Sequence, residues 1–221
     1  MHNIVNNLLS IQNELKIKIK KLNFENYNPN IVAVSKTFTI KDILPLINHG
    51  HLHFGENKVQ ESIEKWTSIK SDFKDIKLHM IGKLQTNKVK YVVPLFDYIH
   101  SVDSLKLAEK ISQQQVKNNK IMKLFIQINI GNENQKSGIL IDQLDNFYNK
   151  CTNDLGLNVI GLMCLPPNDN KSQIYFSKMQ QLVRKLQIKD ISMGMSNDYL
   201  EAINYQSTYL RIGSKIFGER S

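Results

Sequence analysis

The sequence predicts an α/β chain folded as a single (β/α)8 barrel, a TIM barrel, with one extra helix in front of it. Three observations carry that expectation. A length of 221 residues suits one such barrel, which takes about 200 to 250. Short β-rich apolar runs alternate with helical segments eight times, and such alternation implies βαβ units around a parallel sheet. The composition, 41% hydrophobic and 22% charged without a low-complexity tract, is that of an ordinary globular chain. An open doubly wound sheet is the alternative.

Residues 1–28 form the extra helix, because Ile4, Leu8, Ile11, Leu15, Ile19 and Leu22 recur at spacings of three and four. Asn28, Pro29 and Asn30 end it. The barrel then occupies 31–218, and the whole of 1–221 reads as one domain. Strands are expected at 31–35, 51–55, 78–82, 98–102, 124–130, 158–163, 191–194 and 209–213. Between them, helical spacing appears around Ile43 and Ile47, through Val59, Ile63 and Trp66, and at Val89 and Val92 before Pro94. It recurs at Leu107 to Ile111 behind the capping Asp103, at Leu144 and Phe147, from Ile174 to Leu186, and at Leu200 and Ile203. The sequence leaves the place of the first helix open, outside the barrel or across its bottom.

Composition narrows the function classes. The longest apolar runs are strand-sized, far below the ~20 residues that span a bilayer, and polar residues interrupt the N-terminal segment, so neither membrane span nor secretory leader is expected. A cytoplasmic location follows. Cys151 and Cys164 lack metal-ligand spacing and read as buried free thiols, so no metal site is expected. The formal charge of +9 is spread over every helix, which argues against nucleic acid as a partner, although a charge-driven nucleic-acid binder stays as a competing class. No Ser-His-Asp order, HExxH, phosphate-binding P-loop or GxGxxG occurs.

Chemistry in such barrels collects at the C-terminal ends of the strands. Lys36 ends the first run, where burial would lower its pKa and supply the neutral amine that attacks an aldehyde; equally, it could snorkel off a strand end. Loops after the seventh and eighth strands are the usual phosphate sites of these folds. Here the first runs through Gly194, Met195, Ser196, Asn197 and Asp198 into a helix, and the second holds Gly213 and Ser214. Glycine lets backbone approach an anion, and Ser196 offers a hydroxyl at a helix start; singly, each loop also reads as a cap or turn. Arg211 lies inside the eighth run and needs a partner, either a ligand ring nitrogen or a carboxylate. Asn57 and His79, together with Met163, Gly194 and Met195, are candidates for pocket lining, though a lone histidine in a strand is more often structural.

Seven motifs in order then resemble one family: AVSKT at 33–37, FGEN at 54–57, HMIGKLQTNK at 79–88, QINIGNENQKSGI at 127–139, GLM at 161–163, SMGMSNDYLEAI at 192–203 and RIGSKIFG at 211–218. They resemble the pyridoxal phosphate homeostasis protein (YggS/PROSC) family from about Val32 to Gly218. The resemblance implies a barrel of the alanine racemase N-terminal type with pyridoxal 5′-phosphate as cofactor, in a Schiff base with Lys36. It places the phosphate at Ser196, Gly213 and Ser214, the pyridine nitrogen at Arg211 and the ring beside Asn57. Lys215 departs from the family, which commonly has a smaller residue there.

Racemisation needs acid-base groups on both faces of the bound substrate. In the racemases that resemble this fold, the opposing tyrosine comes from an additional β domain, for which this length has no room. The expectation is therefore a monomeric protein that binds, buffers or delivers pyridoxal phosphate to apoenzymes and turns over no substrate, with a low-activity amino-acid racemase as the alternative.

Overall fold

A computed structural model describes residues 3–133 and 135–218; residues 1, 2, 134 and 219–221 of the expected helix and domain lie outside the described residues. Eight parallel strands close on themselves, each hydrogen-bonded to the next in chain order and β8 back to β1. They are β1 (Asn30–Val34), β2 (His53–Glu56), β3 (Lys77–Met80), β4 (Tyr98–Val102), β5 (Lys123–Ile128), β6 (Val159–Cys164), β7 (Asp190–Ser192) and β8 (Tyr209–Ile212). The closed barrel replaces the open-sheet alternative.

A helix precedes β1 and one follows each strand: α1 (Asn3–Lys21), α2 (Ile40–Asn48), α3 (Val59–Asp72), α4 (Val89–Leu95), α5 (Leu105–Asn118), α6 (Leu144–Asn149), α7 (Ser172–Lys185), α8 (Tyr199–Asn204) and α9 (Ser214–Phe217). The alternation arises because each helix buries one apolar stripe against the outer face of the sheet. Trp66 on α3, Ile111 on α5 and Phe176 on α7 are all fully buried there.

Most strand boundaries shift from expectation by one or two residues, and at two elements the difference has a local reason. Helix α1 ends at Lys21, not at 28, because Asn23 (φ 52°) and Asn26 (φ 57°) adopt left-handed backbone, which asparagine tolerates and a helix cannot contain. Strand β7 ends at Ser192, and Gly194 (φ +89°) turns the chain towards α8.

The first helix lies outside the barrel, packed on α2, α8 and α9 across the seam between the last and first units. Val5, Leu8, Ile11 and Leu15 supply its buried stripe, and Asn7 Nδ2 donates to the Ile216 carbonyl at 2.9 Å. Among the described residues, no helix is long and apolar enough to cross a membrane.

Strand alternation divides side chains between two layers. Val32, Tyr98, Phe125, Met163 and Tyr209 fill the inside of the barrel, while Ile31, Ala33, Phe54 and Leu78 pack outward under the helices.

Candidate functional site

A cavity of about 580 Å³ opens at the C-terminal mouth of the strands. Lys36, Asn57, Met195, Ser196, Arg211, Gly213 and Ser214, all anticipated from the sequence, line it together, with Val34, Phe38 and Ile81 as apolar walls. The expected lining by His79, Met163 and Gly194 needs correction. His79 and Met163 sit wholly buried inside the barrel, and a side chain on Gly194 would point at Ala202 of α8. A larger cavity of about 760 Å³ lies at the opposite end, between α1 and the starts of β1 and β2, and carries none of the expected residues.

Lys36 is half-buried in the turn leaving β1. The chain on both sides of it is clamped by α3. Lys65 Nζ donates to the Ser35 carbonyl at 2.9 Å, and the Thr37 N–H donates to Glu61 Oε1 at 2.7 Å. Thr37 has φ +71°, uncommon for a β-branched residue, and that bond helps to hold it there.

Behind the clamp, Glu56 Oε1 accepts from Ser35 Oγ at 2.7 Å, Trp66 Nε1 at 2.9 Å and Lys65 Nζ at 3.0 Å. Both ends of this pair are buried, with side chains 7% and 0% exposed. Burial alone would raise the Glu61 carboxyl, but the Thr37 N–H and Lys65 outweigh it and hold its pKa below the usual value. The i,i+4 spacing of Glu61 and Lys65 was visible in the sequence; their reach to the backbone flanking Lys36 was not.

Two loops meet opposite Lys36. Ser196 Oγ accepts the N–H groups of Gly213 and Lys215, each at 3.3 Å, which draws the loop after β7 onto the loop after β8. The Asp198 carboxylate tightens the first loop by accepting the Met195 N–H. Gly213 lies against β1, where a Cβ would stand 3.4 Å from Val34. The Lys215 side chain turns away to α1, where its ammonium reaches Glu14 Oε2 at 2.9 Å and the Tyr199 hydroxyl at 2.7 Å. Glu14 is held below the ordinary carboxylate range by Tyr199 and Lys215.

Arg211 closes the floor and is 4% exposed. Its hydrogen bonds run to neutral acceptors, Ser192 Oγ at 2.6 Å and the Cys164 carbonyl at 2.8 Å, and among the described residues no carboxylate ion-pairs with it. Burial lowers its pKa, yet a guanidinium stays protonated, so the cavity floor carries a desolvated positive charge. Beside it, Asn57 Oδ1 is buried without a hydrogen-bond partner. A buried cation that no carboxylate touches suits an acceptor on a ligand, with Asp198 of the same cavity acting on it from a distance, and the orphaned amide oxygen calls for a hydrogen-bond donor there.

Below Arg211 the sequence reading missed a polar chain. His53 Nδ1 lies 2.9 Å from His79 Nε2, His79 Nδ1 lies 2.9 Å from His100 Nε2, and His100 Nδ1 lies 2.8 Å from Ser192 Oγ. The available signal was parity. These residues share the inward side of their strands with Tyr98, Tyr209 and Arg211.

Residues 11–221 match the family model described as alanine racemase, N-terminal domain. The pyridoxal phosphate homeostasis protein of Haemophilus influenzae is 36% identical, with 99% of this chain and 97% of that protein covered. That of Aquifex aeolicus is also 36% identical, with 86% of each covered. PipY of Synechococcus elongatus, solved with PLP bound, superposes with a TM-score of 0.80 at 29% identity, covering 92% of this chain and 100% of its own. Alanine racemase from Corynebacterium glutamicum shares the fold at a TM-score of 0.68 and 15% identity, with 99% of this chain and 60% of that one covered. By fold, ordered motifs and full-length relatives, this chain belongs to the pyridoxal phosphate homeostasis protein family, on the barrel of the alanine racemase N-terminal domain.

Proposed function

We propose that this chain binds pyridoxal 5′-phosphate in the cavity at the mouth of the barrel, covalently through Lys36, and holds or hands on the cofactor rather than turning over a substrate. The observation that carries the reading is the convergence on one cavity of an amine, two anion-suited loops and a buried cation. Pyridoxal phosphate supplies an aldehyde carbon that condenses with a primary amine, forming a C=N bond and releasing water. Lys36 contributes the amine. Ser196 and Ser214 offer hydroxyl and N–H groups to the phosphate, Gly213 lets the backbone approach it, Arg211 donates to the ring nitrogen, and Asn57 lines the ring. A donating arginine leaves that nitrogen unprotonated and the ring a weaker electron sink, which suits holding over catalysis.

The lining supports the carrier reading further. Among its described residues, Lys36 and Asp198 are the side chains able to exchange a proton, and Asp198 is engaged with the Met195 N–H. Racemisation requires proton transfer on two faces. The relatives are named for homeostasis and not for a reaction. Delivery to apoenzymes, a single-domain monomer and a cytoplasmic location belong to the same proposal.

The test is an absorption spectrum of the protein mixed with pyridoxal phosphate. A visible band that borohydride abolishes, present in wild type and lost in Lys36→Ala, is the expected result; an undiminished band in the variant would refute Lys36 as the anchor. Incubating the loaded protein with L-alanine in deuterated water tests the carrier reading separately. Sustained deuterium incorporation at the α-carbon would overturn it in favour of the racemase.

A further inference from the structure

Inside the barrel, Arg211, Ser192, His100, His79 and His53 form an unbroken line of polar contacts, each between 2.6 and 2.9 Å, packed against the rings of Tyr98, Phe125 and Tyr209. We propose that this line is a one-directional hydrogen-bond relay whose aligned dipoles hold the Arg211 guanidinium charged and aimed at the cavity floor, making Ser192, His100, His79 and His53 positioning residues for the ligand. The reading of its effect on ligand binding rests on the proposed pyridoxal phosphate site; the relay itself does not.

The direction follows from hydrogen-bond inventory. Arginine has donors and no acceptor, so Ser192 Oγ must accept from Nη1. Among the described residues, the hydrogen-bond contacts of that hydroxyl are Arg211 and His100, so its own proton goes to His100 Nδ1. A neutral His100 then carries its proton on Nε2 and donates to His79 Nδ1. His79 does the same towards His53 Nδ1. The reverse direction would aim both Arg211 and His100 at the Ser192 oxygen and leave its hydroxyl proton without a partner, a costly arrangement in a fully buried group.

Each link thus turns its acceptor end towards the arginine. Successive bonds polarise one another, so the chain stabilises a cation that lacks a carboxylate partner. Burial holds His79 and His100 well below the ordinary histidine range, and the charge of Arg211 adds to that at His100. The line ends at His53, which is half-buried and borders the cavity beneath α1.

The decisive measurement is a long-range proton–nitrogen NMR correlation on the full chain with ¹⁵N-labelled histidine, without cofactor, at pH 7. All three relay imidazoles should be neutral and protonated on Nε2. An Nδ1–H tautomer or an imidazolium at His79 or His100 would overturn the relay whatever the protein binds. Titration of Ser192→Ala with pyridoxal phosphate should show binding weakened about 10-fold, as for loss of a hydrogen bond to a charged group. Unchanged affinity in that variant, together with the Lys36-dependent band, would overturn the positioning role while leaving the proposed site intact.

Discussion

Replacing Lys65 with methionine keeps the length of the stem and deletes the ammonium. That ammonium makes three hydrogen bonds, to Ser35 O at 2.9 Å, Glu56 Oε1 at 3.0 Å and Glu61 Oε1 at 3.1 Å. Glu56, 0% exposed, keeps Ser35 and Trp66 as donors but loses its counter-charge. Removing one partner of a buried pair costs about 3–5 kcal/mol, because the other charge stays desolvated. At roughly 2–4 °C per kcal/mol for a chain of this size, melting should fall by about 6–20 °C. The paired variant Glu56→Gln with Lys65→Met strands no fully buried charge, since Glu61 keeps partial exposure and the Thr37 N–H, and should lose less than the sum of the two single changes, which urea unfolding of all four proteins measures as a coupling energy. Affinity for pyridoxal phosphate should also fall in Lys65→Met, since the backbone on one side of Lys36 loses its anchor. A variant that melts within about 3 °C of wild type would refute the reasoning, placing the pair among screened surface bridges of little worth.

Gly82→Ala should cost stability by about 1–3 kcal/mol or more and weaken cofactor binding, because its Cβ would stand 2.3 Å from the Asn57 carbonyl; thermal melting and cofactor titration both report it. Gly213→Ala, with its nearest contacts at 3.4 Å, should melt close to wild type yet bind cofactor more weakly, and equal affinity would remove that loop from the phosphate site. Arg211→Met should lower melting less than Lys65→Met does, since it removes an unpaired buried charge, while cofactor affinity drops at least about 10-fold. Acid should destabilise the fold: burial lowers His51 and His53 from 6.5 to about 4, so below pH 6.5 the unfolded chain takes up protons that the folded chain refuses. For His51 the loss amounts to about 3 kcal/mol by pH 4, and urea midpoints that stay level or rise between pH 6.5 and 4.5 would contradict it.

The barrel was legible because each strand is a short apolar run and each helix carries a separate 3.6-residue stripe, signals that need no long-range information. Lys36, Ser196, Arg211 and Gly213 were legible as site candidates for a related reason: a strand's C-terminal end is a place in the topology, and topology follows from counting. What stayed hidden depends on register and on helix rotation. His79 read as a solitary histidine because nothing local reveals that β2 sets His53 opposite Lys77 while β3 sets His79 opposite Tyr98, bringing three imidazoles into hydrogen-bond distance inside one barrel. Glu56 read as part of a motif, and its outward burial against Lys65 and Trp66 required knowing which face α3 turns to the sheet. Lys215 read only as a departure from the family, because its partner Glu14 belongs to α1, the helix that the alternation count leaves without a place.

The two faces of the sheet therefore act on the cavity in different ways. Outward from β1 and β2, the network of Ser35, Glu56, Glu61 and Lys65 fixes the backbone that carries Lys36, with Thr37 in a left-handed conformation that costs about 1–3 kcal/mol when unsupported. Inward from β3, β4, β7 and β8, the line from His79 to Arg211 holds a cation in an apolar interior, a second unfavourable element. Both are kept by rigid elements of the barrel and not by loops, so neither needs the ligand in order to form. An anionic ligand entering such a cavity meets an amine and a charge already in place, and little binding energy goes to ordering them. On the proposed site, the same preorganisation would make the ligand's grip depend on residues that never touch it, Lys65 from one face and Ser192 from the other.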